Sequence, residues 1–272
     1  MVGREAFFLP SGAGQCFCLY TPPQGPEENG AVLYIHPFAE EMNKSRRMAA
    51  LQSRALAAAG FGVLQIDLRG CGDSSGDFGD ANWQTWVEDA VNACHWLSGR
   101  SEAPLWLWGL RAGCLLAVDA AVNLKNCPNF IFWQPVVSGK QHWQQFMRLK
   151  MAGELAAGQA KGGVEQLRQQ LAAGQAVEIA GYAVAPGLAD GLEKAELQPP
   201  AISPGRVAWF ELSSRDEATL APVSQQRIEQ WRAAGFTVEA TVVSGPGFWQ
   251  TTEIEDAPVL IAATLAAVES GR

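Results

Sequence analysis

The sequence predicts an α/β fold built on a mostly parallel, doubly wound sheet. Short apolar runs alternate with amphipathic helical patterns along most of the 272 residues, and this alternation is typical of βαβ units. Two of the predicted helices end at glycines, Gly60 and Gly235. Because parallel strands need a crossover between them, the alternation favours one sheet with helices on both faces.

An antiparallel hairpin is predicted before this alternation begins. Residues 6–10 and 16–21 are short β-type runs, and the Pro/Gly-rich turn 22–30 follows them. The other strands of the sheet are predicted at residues 31–36, 61–68, 104–108, 129–137, 207–212 and 237–243. The helices between them are predicted at residues 47–59, 82–98, 112–123, 222–234 and 256–268.

The alternation stops between residues 138 and 204. This stretch reads as helices and loops, with helices predicted at 141–155, 164–173 and 188–197. We therefore predict a helical cap insertion at residues 138–204 and a core formed by residues 1–137 and 205–272. The cap is expected over the carboxyl edge of the strands, where doubly wound sheets bind their ligands.

Composition disfavours several classes of function. The net charge of −8 and the pI of about 5.0 disfavour nucleic acid as a partner, and no apolar run reaches the ~20 residues of a membrane span. The six cysteines have no C-x-x-C spacing, so we predict reduced thiols, a cytoplasmic location and no metal site. No P-loop or dinucleotide fingerprint occurs, and no cofactor is predicted.

The most informative motif is the predicted strand-to-helix turn at residues 108–113, which read Trp-Gly-Leu-Arg-Ala-Gly. In a nucleophile elbow, glycines at such a turn let the backbone crowd around one side chain and push it into the mouth of a site. Here that side chain belongs to Arg111 where a serine is expected. A guanidinium keeps its proton below pH ~12, so it offers no lone pair as nucleophile or base. The motif predicts the frame of an active site without its nucleophile.

The other catalytic positions can be checked in chain order. A hydrolase of this build needs an acid and then a histidine after its last two strands. Asp216 occupies the acid position, but residues 244–250 read Ser-Gly-Pro-Gly-Phe-Trp-Gln and contain no histidine. The three histidines, His36, His95 and His142, all precede Asp216. We therefore predict that no Ser-His-Asp triad is completed.

Two other residues could be mistaken for catalytic groups. Ser74 lies in a second G-x-S-x-G match, but no helix follows it directly, so a glycine-rich turn is predicted there. His36 ends the third strand and precedes Pro37, which lacks a backbone N–H. We expect His36 to hydrogen-bond its loop together, with a ligand contact as the alternative. His95 and His142 are expected to be surface or packing residues.

A positive charge at a helix N-terminus is unfavourable, so Arg111 requires an anion nearby. Two internal candidates exist, Asp216 and the pair Glu40 and Glu41, and a salt bridge to one of them is the first interpretation. The second is that the planar guanidinium binds an anionic group of a ligand. The candidate ligand-binding residues are Arg111, His36, Phe38, Glu40, Glu41, Asp216, Phe248 and Trp249. Trp143 and Phe146 of the cap are candidates for the wall of the same pocket.

Several stretches resemble a known family. Residues 67–74, Asp-Leu-Arg-Gly-Cys-Gly-Asp-Ser, resemble the D-x-R-G-x-G-x-S loop of α/β-hydrolases. Together, residues 37–48, 108–113 and 247–250 resemble the bacterial family called exosortase A system-associated hydrolase 2, and the resemblance covers essentially the whole chain. The resemblance implies an α/β-hydrolase fold, and the family name implies hydrolase activity. It also implies a biological setting, namely exopolysaccharide production and the sorting of proteins that carry a Pro-Glu-Pro C-terminal (PEP-CTERM) signal.

Three hypotheses of function follow, the third of which is an interaction scaffold whose cap surface binds another protein. The first is a cytoplasmic, hydrolase-like protein without a triad, whose cleft binds a small anionic molecule or a protein partner. The second is an active esterase-like or thioesterase-like enzyme that uses unorthodox groups, namely Glu40, Glu41, Asp216 and His36.

Overall fold

A computed structural model describes residues 3–25, 27–125, 127–156, 163–215 and 217–270, with the side chains of 150–156 excepted. Its strands are β1 (Glu5–Ser11), β2 (Gly14–Thr21), β3 (Gly30–Ile35), β4 (Phe61–Ile66), β5 (Leu105–Leu110), β6 (Asn129–Trp133), β7 (Val177–Ile179), β8 (Tyr182–Val184), β9 (Arg206–Ser213) and β10 (Thr237–Ser244). Its α-helices are α1 (Glu40–Ala58), α2 (Trp83–Ser98), α3 (Gly113–Ala121), α4 (Gly139–Ala156), α5 (Val164–Ala172), α6 (Pro186–Lys194), α7 (Pro222–Ala233) and α8 (Pro258–Glu269).

Eight of these strands form one sheet in the order β1-β2-β4-β3-β5-β6-β9-β10. Strand β2 is antiparallel to both of its neighbours, and all the other pairs are parallel. The predicted hairpin is confirmed, since Glu5 of β1 faces Tyr20 of β2. One apolar cluster includes residues of α2, α3 and α7, and the other includes residues of α1 and α8, as expected for a sheet covered on both faces.

Local sequence explains several of these elements. Strand β3 is buried at all six positions, as its unbroken apolar run predicts for a central parallel strand. At the start of α2, the side chain of Asn82 accepts a hydrogen bond from the Thr85 N–H over 2.8 Å. Helix α1 begins at Glu40, seven residues before the predicted start at 47. Its first turn carries Glu40 and Glu41, and carboxylates are favourable at the positive end of a helix.

The inserted segment, which we define as the residues between β6 and β9, holds α4, α5, α6 and the small sheet formed by β7 and β8. Its two ends meet, because Ser138 bridges to Glu196 and donates a hydrogen bond to the Glu196 carboxylate over 2.8 Å. Arg227 of α7 binds the same carboxylate over 2.9 Å. None of the described helices is both long and apolar enough to cross a membrane.

Candidate functional site

The turn between β5 and α3 has the geometry of an elbow. Arg111 has a φ of 55°, a left-handed conformation that residues other than glycine rarely adopt. The turn is tightly packed: a Cβ atom on Gly109 would lie 2.6 Å from the Cα of Cys114, and one on Gly113 would collide with the carbonyl oxygen of Ile35. The Arg111 N–H donates to the Trp133 carbonyl over 3.0 Å and fixes the turn to β6. The glycines therefore hold Arg111 at the carboxyl edge of the sheet.

Because of this close approach, we expect Gly113→Ala to lower the free energy of unfolding by about 1–3 kcal/mol, the usual cost of overpacking. Gly99→Ala is the matched control, since the nearest atom to its added Cβ is 3.5 Å away and its φ is −76°. We expect this control to be neutral or slightly stabilising. Urea unfolding measures both changes, and equal effects at the two positions would contradict the packing argument.

The side chain of Arg111 is largely enclosed and only partly paired. Its Nε atom donates to Glu41 Oε1 over 3.2 Å, and its guanidinium carbon lies 5.5 Å from the centre of the Trp249 ring. The side chain is 18% exposed. Its terminal nitrogens donate to no residue that the structure describes. Of the three internal carboxylates that the sequence offered, Glu41 pairs with Arg111, Glu40 accepts from Tyr182, and Asp216 lies outside the described residues.

Arg111 lines a cavity of about 300 Å³, which we call the elbow cavity. It lies between the elbow, the start of α1, helix α4 and the stretch after β10. Its lining residues are Phe38, Glu40, Glu41, Lys44, Arg111, His142, Gln145, Phe146, Leu149, Trp249 and Gln250. The sequence therefore identified five of these as ligand-binding candidates (Arg111, Phe38, Glu40, Glu41 and Trp249), and Phe146 as a wall.

His142, which was expected to be a surface or packing residue, lines the elbow cavity. The residue is 7% exposed, and neither Nδ1 nor Nε2 hydrogen-bonds to any described residue. Burial, helped by the charge of Arg111, lowers the pKa of His142 to about 3. The ring is therefore neutral at pH 7 and presents one donor and one acceptor. Its spacing to Gln145, Phe146 and Leu149 places all four on one face of α4, a pattern that could have pointed to it.

Glu41 has a buried carboxyl group, and only one of its two oxygens accepts a hydrogen bond from a described residue. Burial raises its pKa, and the neighbouring Arg111 opposes that rise. Its Oε1 accepts from Arg111, whereas its Oε2 is buried without a hydrogen bond to any described residue. Glu40, at the rim, is exposed and accepts a hydrogen bond from the Tyr182 hydroxyl over 3.0 Å. The hydrogen bond between Tyr182 and Glu40 joins the start of α1 to the inserted segment.

Two of the candidate residues, His36 and Phe248, are not among the described residues that line the elbow cavity. Leu68 N–H donates to His36 Nε2 over 3.3 Å, so the proton is on Nδ1, which donates to the Pro37 carbonyl over 2.8 Å. His36 thus hydrogen-bonds its own loop together, and burial lowers its pKa. Phe248 is 1% exposed and packs edge-on against Trp133. The hydrogen bonds of His36 and the packing of Phe248 are therefore structural contacts.

Ser74 belongs to a structural turn, as its sequence context predicts. Its hydroxyl donates to the Asp67 carbonyl and accepts from the Phe17 N–H over 2.8 Å. Both hydrogen-bonding directions of the hydroxyl are therefore used. Among the residues that the structure describes, no group of three or more His, Cys, Asp or Glu side chains could hold a metal ion.

A larger recess of about 730 Å³ lies in the inserted segment among α4, α5 and α6, and Trp143 lines it. Its charged residues, Lys140, Arg168, Asp190 and Glu193, include both signs. None of its described lining residues has a buried polar atom without a partner. The elbow cavity, with His142 and Glu41, is therefore the stronger candidate site.

Comparison with known proteins identifies the family. The model of the family described as "Serine aminopeptidase, S33" matches residues 26–174. The chain belongs to this S33 family. It is also 36% identical to the human protein ABHD12B over 103 residues, which are 37% of this chain and 27% of that protein.

Solved structures agree with this membership at the level of the fold. The chain is similar to Est1E from Butyrivibrio proteoclasticus with ferulic acid bound, with a TM-score of 0.66, 15% identity and 97% of each chain covered. It is also similar to a soluble variant of monoglyceride lipase from Saccharomyces cerevisiae in complex with a substrate analogue. There the TM-score is 0.65 and the identity 15%, with 99% of this chain and 96% of that chain covered. This S33 family member therefore has the α/β-hydrolase fold that its sequence predicted.

Proposed function

We propose that this chain is a hydrolase-like protein of a bacterial exosortase and exopolysaccharide system that lacks a Ser-His-Asp triad and binds an anionic ligand in the elbow cavity. One observation carries the proposal. Arg111 occupies the left-handed position of the elbow, and its terminal nitrogens have no hydrogen-bond partner among the described residues. The resemblance of residues 37–48, 108–113 and 247–250 supports the exosortase setting.

The chemistry of Arg111 favours binding over hydrolysis. A guanidinium remains protonated at physiological pH, so it neither attacks a carbonyl nor accepts a proton. Glu41 uses only Nε, which leaves the terminal nitrogens for a carboxylate or another planar anion. Trp249 follows β10, where a hydrolase would need its histidine, and it presents a ring to the guanidinium. The sequence contains no histidine after His142.

In this proposal residues 138–204 act as a cap on the core formed by residues 1–137 and 205–272. His142 and Phe146 of α4 line the elbow cavity, and Tyr182 joins Glu40 at its rim. The cap thus supplies part of the ligand contact. A cytoplasmic location is consistent with the six cysteines, which are all free thiols.

A second candidate is an active hydrolase with an unorthodox site. Membership of a family described as serine aminopeptidases favours it, and so does the carboxyl of Glu41, whose pKa is raised inside the same cavity. Carboxyls with raised pKa values are suited to general acid–base catalysis.

Ester turnover separates the two candidates. We expect neither the unmodified chain nor Arg111→Ser to hydrolyse p-nitrophenyl acetate or butyrate above the buffer rate, because no histidine is present to activate a serine. Turnover by the unmodified chain that disappears in Glu41→Gln would support the second candidate and overturn the first. Esterase activity gained by Arg111→Ser would also overturn the first.

Anion binding tests the first candidate directly. We expect acetate or benzoate to raise the melting temperature of the unmodified chain, and Arg111→Gln to abolish that rise. Arg47→Gln is the matched control, because Arg47 is an exposed arginine of α1 that pairs with Asp256. Anion effects that are equal in the two variants would refute ligand binding at Arg111.

A further inference from the structure

Features of the elbow cavity indicate the chemical class of its ligand. We infer that the ligand is a small aromatic monocarboxylate that carries a neutral hydroxyl group, with the carboxylate on Arg111 and the hydroxyl on His142. This inference rests on the proposed function and deepens it. Three features support it: the charge balance of the cavity, its aromatic wall and the unpaired ring of His142.

The charge balance favours a single negative charge on the ligand. Two cations, Arg111 and Lys44, and two carboxyls, Glu40 and Glu41, line the cavity, while His142 is neutral. Among the described lining residues, the formal charges of these four side chains sum to zero. One ligand carboxylate can use the terminal nitrogens of Arg111, but a second would bring the negative groups to four against two cations, with Lys44 as the only further described cation in the lining. Phosphate esters and dicarboxylates are therefore disfavoured.

The wall around Arg111 is aromatic. The rings of Phe38 and Phe146 lie 5.0 Å apart and almost perpendicular, and the guanidinium lies over the Trp249 ring. A carboxylate that accepts two N–H bonds from a guanidinium is coplanar with it. An aryl ring conjugated to that carboxylate shares the plane and extends along the aromatic wall. A volume of about 300 Å³ is at the lower end for small-molecule pockets, which suits a ligand with one ring.

His142 calls for a neutral polar group on the ligand. Its ring is more than nine-tenths buried, lines the cavity, and has both nitrogens unpaired among the described residues. Unmet hydrogen bonds of a buried group are costly, so a ligand atom that satisfies them gains affinity. A hydroxyl both donates and accepts, as the neutral imidazole does. A second carboxylate could accept from the ring, but it would bring the unfavourable second charge.

Isothermal titration calorimetry with the full chain at pH 7 tests the inference. The probes are benzoate, 3-hydroxybenzoate, 4-hydroxybenzoate, cyclohexanecarboxylate and isophthalate. We expect the better hydroxybenzoate to bind about five- to tenfold more tightly than benzoate, the effect of one hydrogen bond to a buried group. Benzoate should in turn bind more tightly than cyclohexanecarboxylate and isophthalate.

His142→Phe keeps an aromatic ring and removes both hydrogen-bonding atoms, so it should abolish the preference for a hydroxyl and bring the affinities for benzoate and the better hydroxybenzoate within about twofold of each other. Circular dichroism shows whether His142→Phe is folded. If that variant does not fold, His142→Leu is used in its place. The ranking of ligands by the unmodified chain decides the inference by itself.

Failure of the inference differs from failure of the proposed function. Arg111-dependent binding without a preference for the hydroxyl, or with isophthalate as the tighter ligand, overturns the inference and leaves the proposed function standing. Binding that Arg111→Gln does not weaken overturns both.

Discussion

Replacement of Asp89 by alanine is expected to lower the free energy of unfolding by about 3–5 kcal/mol, the usual cost of removing one partner from a buried ion pair. The Asp89 side chain is 0% exposed. It accepts hydrogen bonds from the Ser11 hydroxyl and, over 3.0 Å each, from the backbone N–H and the Nε of Arg69. The substitution therefore leaves a hydroxyl, an amide and part of a guanidinium without their acceptor.

The position of Asp89 explains the size of this effect. It joins β1 through Ser11, α2 through its own backbone, and the loop after β4 through Arg69. That loop is also held by Trp86, whose indole N–H donates to the Arg69 carbonyl over 2.9 Å. Loss of the carboxylate therefore weakens the attachment of the edge of the sheet to α2.

Asp190→Ala is the matched control for Asp89→Ala. Asp190 also pairs with a cation, Lys194, over 2.7 Å, but the two side chains are 64% and 73% exposed. An exposed pair of this kind contributes about 0–1 kcal/mol. Urea unfolding of the two variants compares them directly, and a loss below about 1 kcal/mol in Asp89→Ala would contradict the role assigned to its buried network.

The fold was predictable because its signals are local. Apolar runs marked the buried strands, and the stripe that includes Trp83, Trp86 and Ala90 marked the face of α2 that is buried. Asp89 lies beside that stripe and is buried against β1 and the loop after β4. Nothing in the helical pattern indicates such an acid, because its burial depends on elements distant in the sequence.

Part of the candidate site was also predictable from local sequence. The two glycines of the elbow and the absence of a serine at Arg111 are visible in six consecutive residues. Glu41 was one of three internal carboxylates that the sequence offered, and only the path of the chain into α1 selects it. His142 reaches the cavity from the inserted segment. Its spacing to Phe146 marks one face of α4, but nothing in the sequence indicates that this face meets the elbow. Burial of its ring, which lowers its pKa, is a tertiary effect.

Acid is expected to destabilise the chain through His142. Its pKa is about 3 in the folded chain and has the ordinary value of 6.5 in the unfolded chain. Between these two pH values the unfolded state binds a proton that the folded state does not, so stability rises with pH. The contribution is complete above pH 6.5 and is lost progressively as the pH falls towards 3. The free energy of unfolding falls by about 1.4 kcal/mol per pH unit in this range, so the loss between pH 7 and pH 4.5 is about 2–3 kcal/mol.

Urea unfolding at pH 7 and pH 4.5 measures this loss, and His142→Phe isolates it. The variant has no group that titrates at this position, so its stability should fall by about 2–3 kcal/mol less over the interval than that of the unmodified chain. His36, whose pKa is also lowered by burial, contributes a loss of the same sign to both proteins and cancels in the difference. Identical pH dependence in His142→Phe and the unmodified chain would mean that His142 is solvated in the folded state, and that it presents no unpaired buried ring to the elbow cavity.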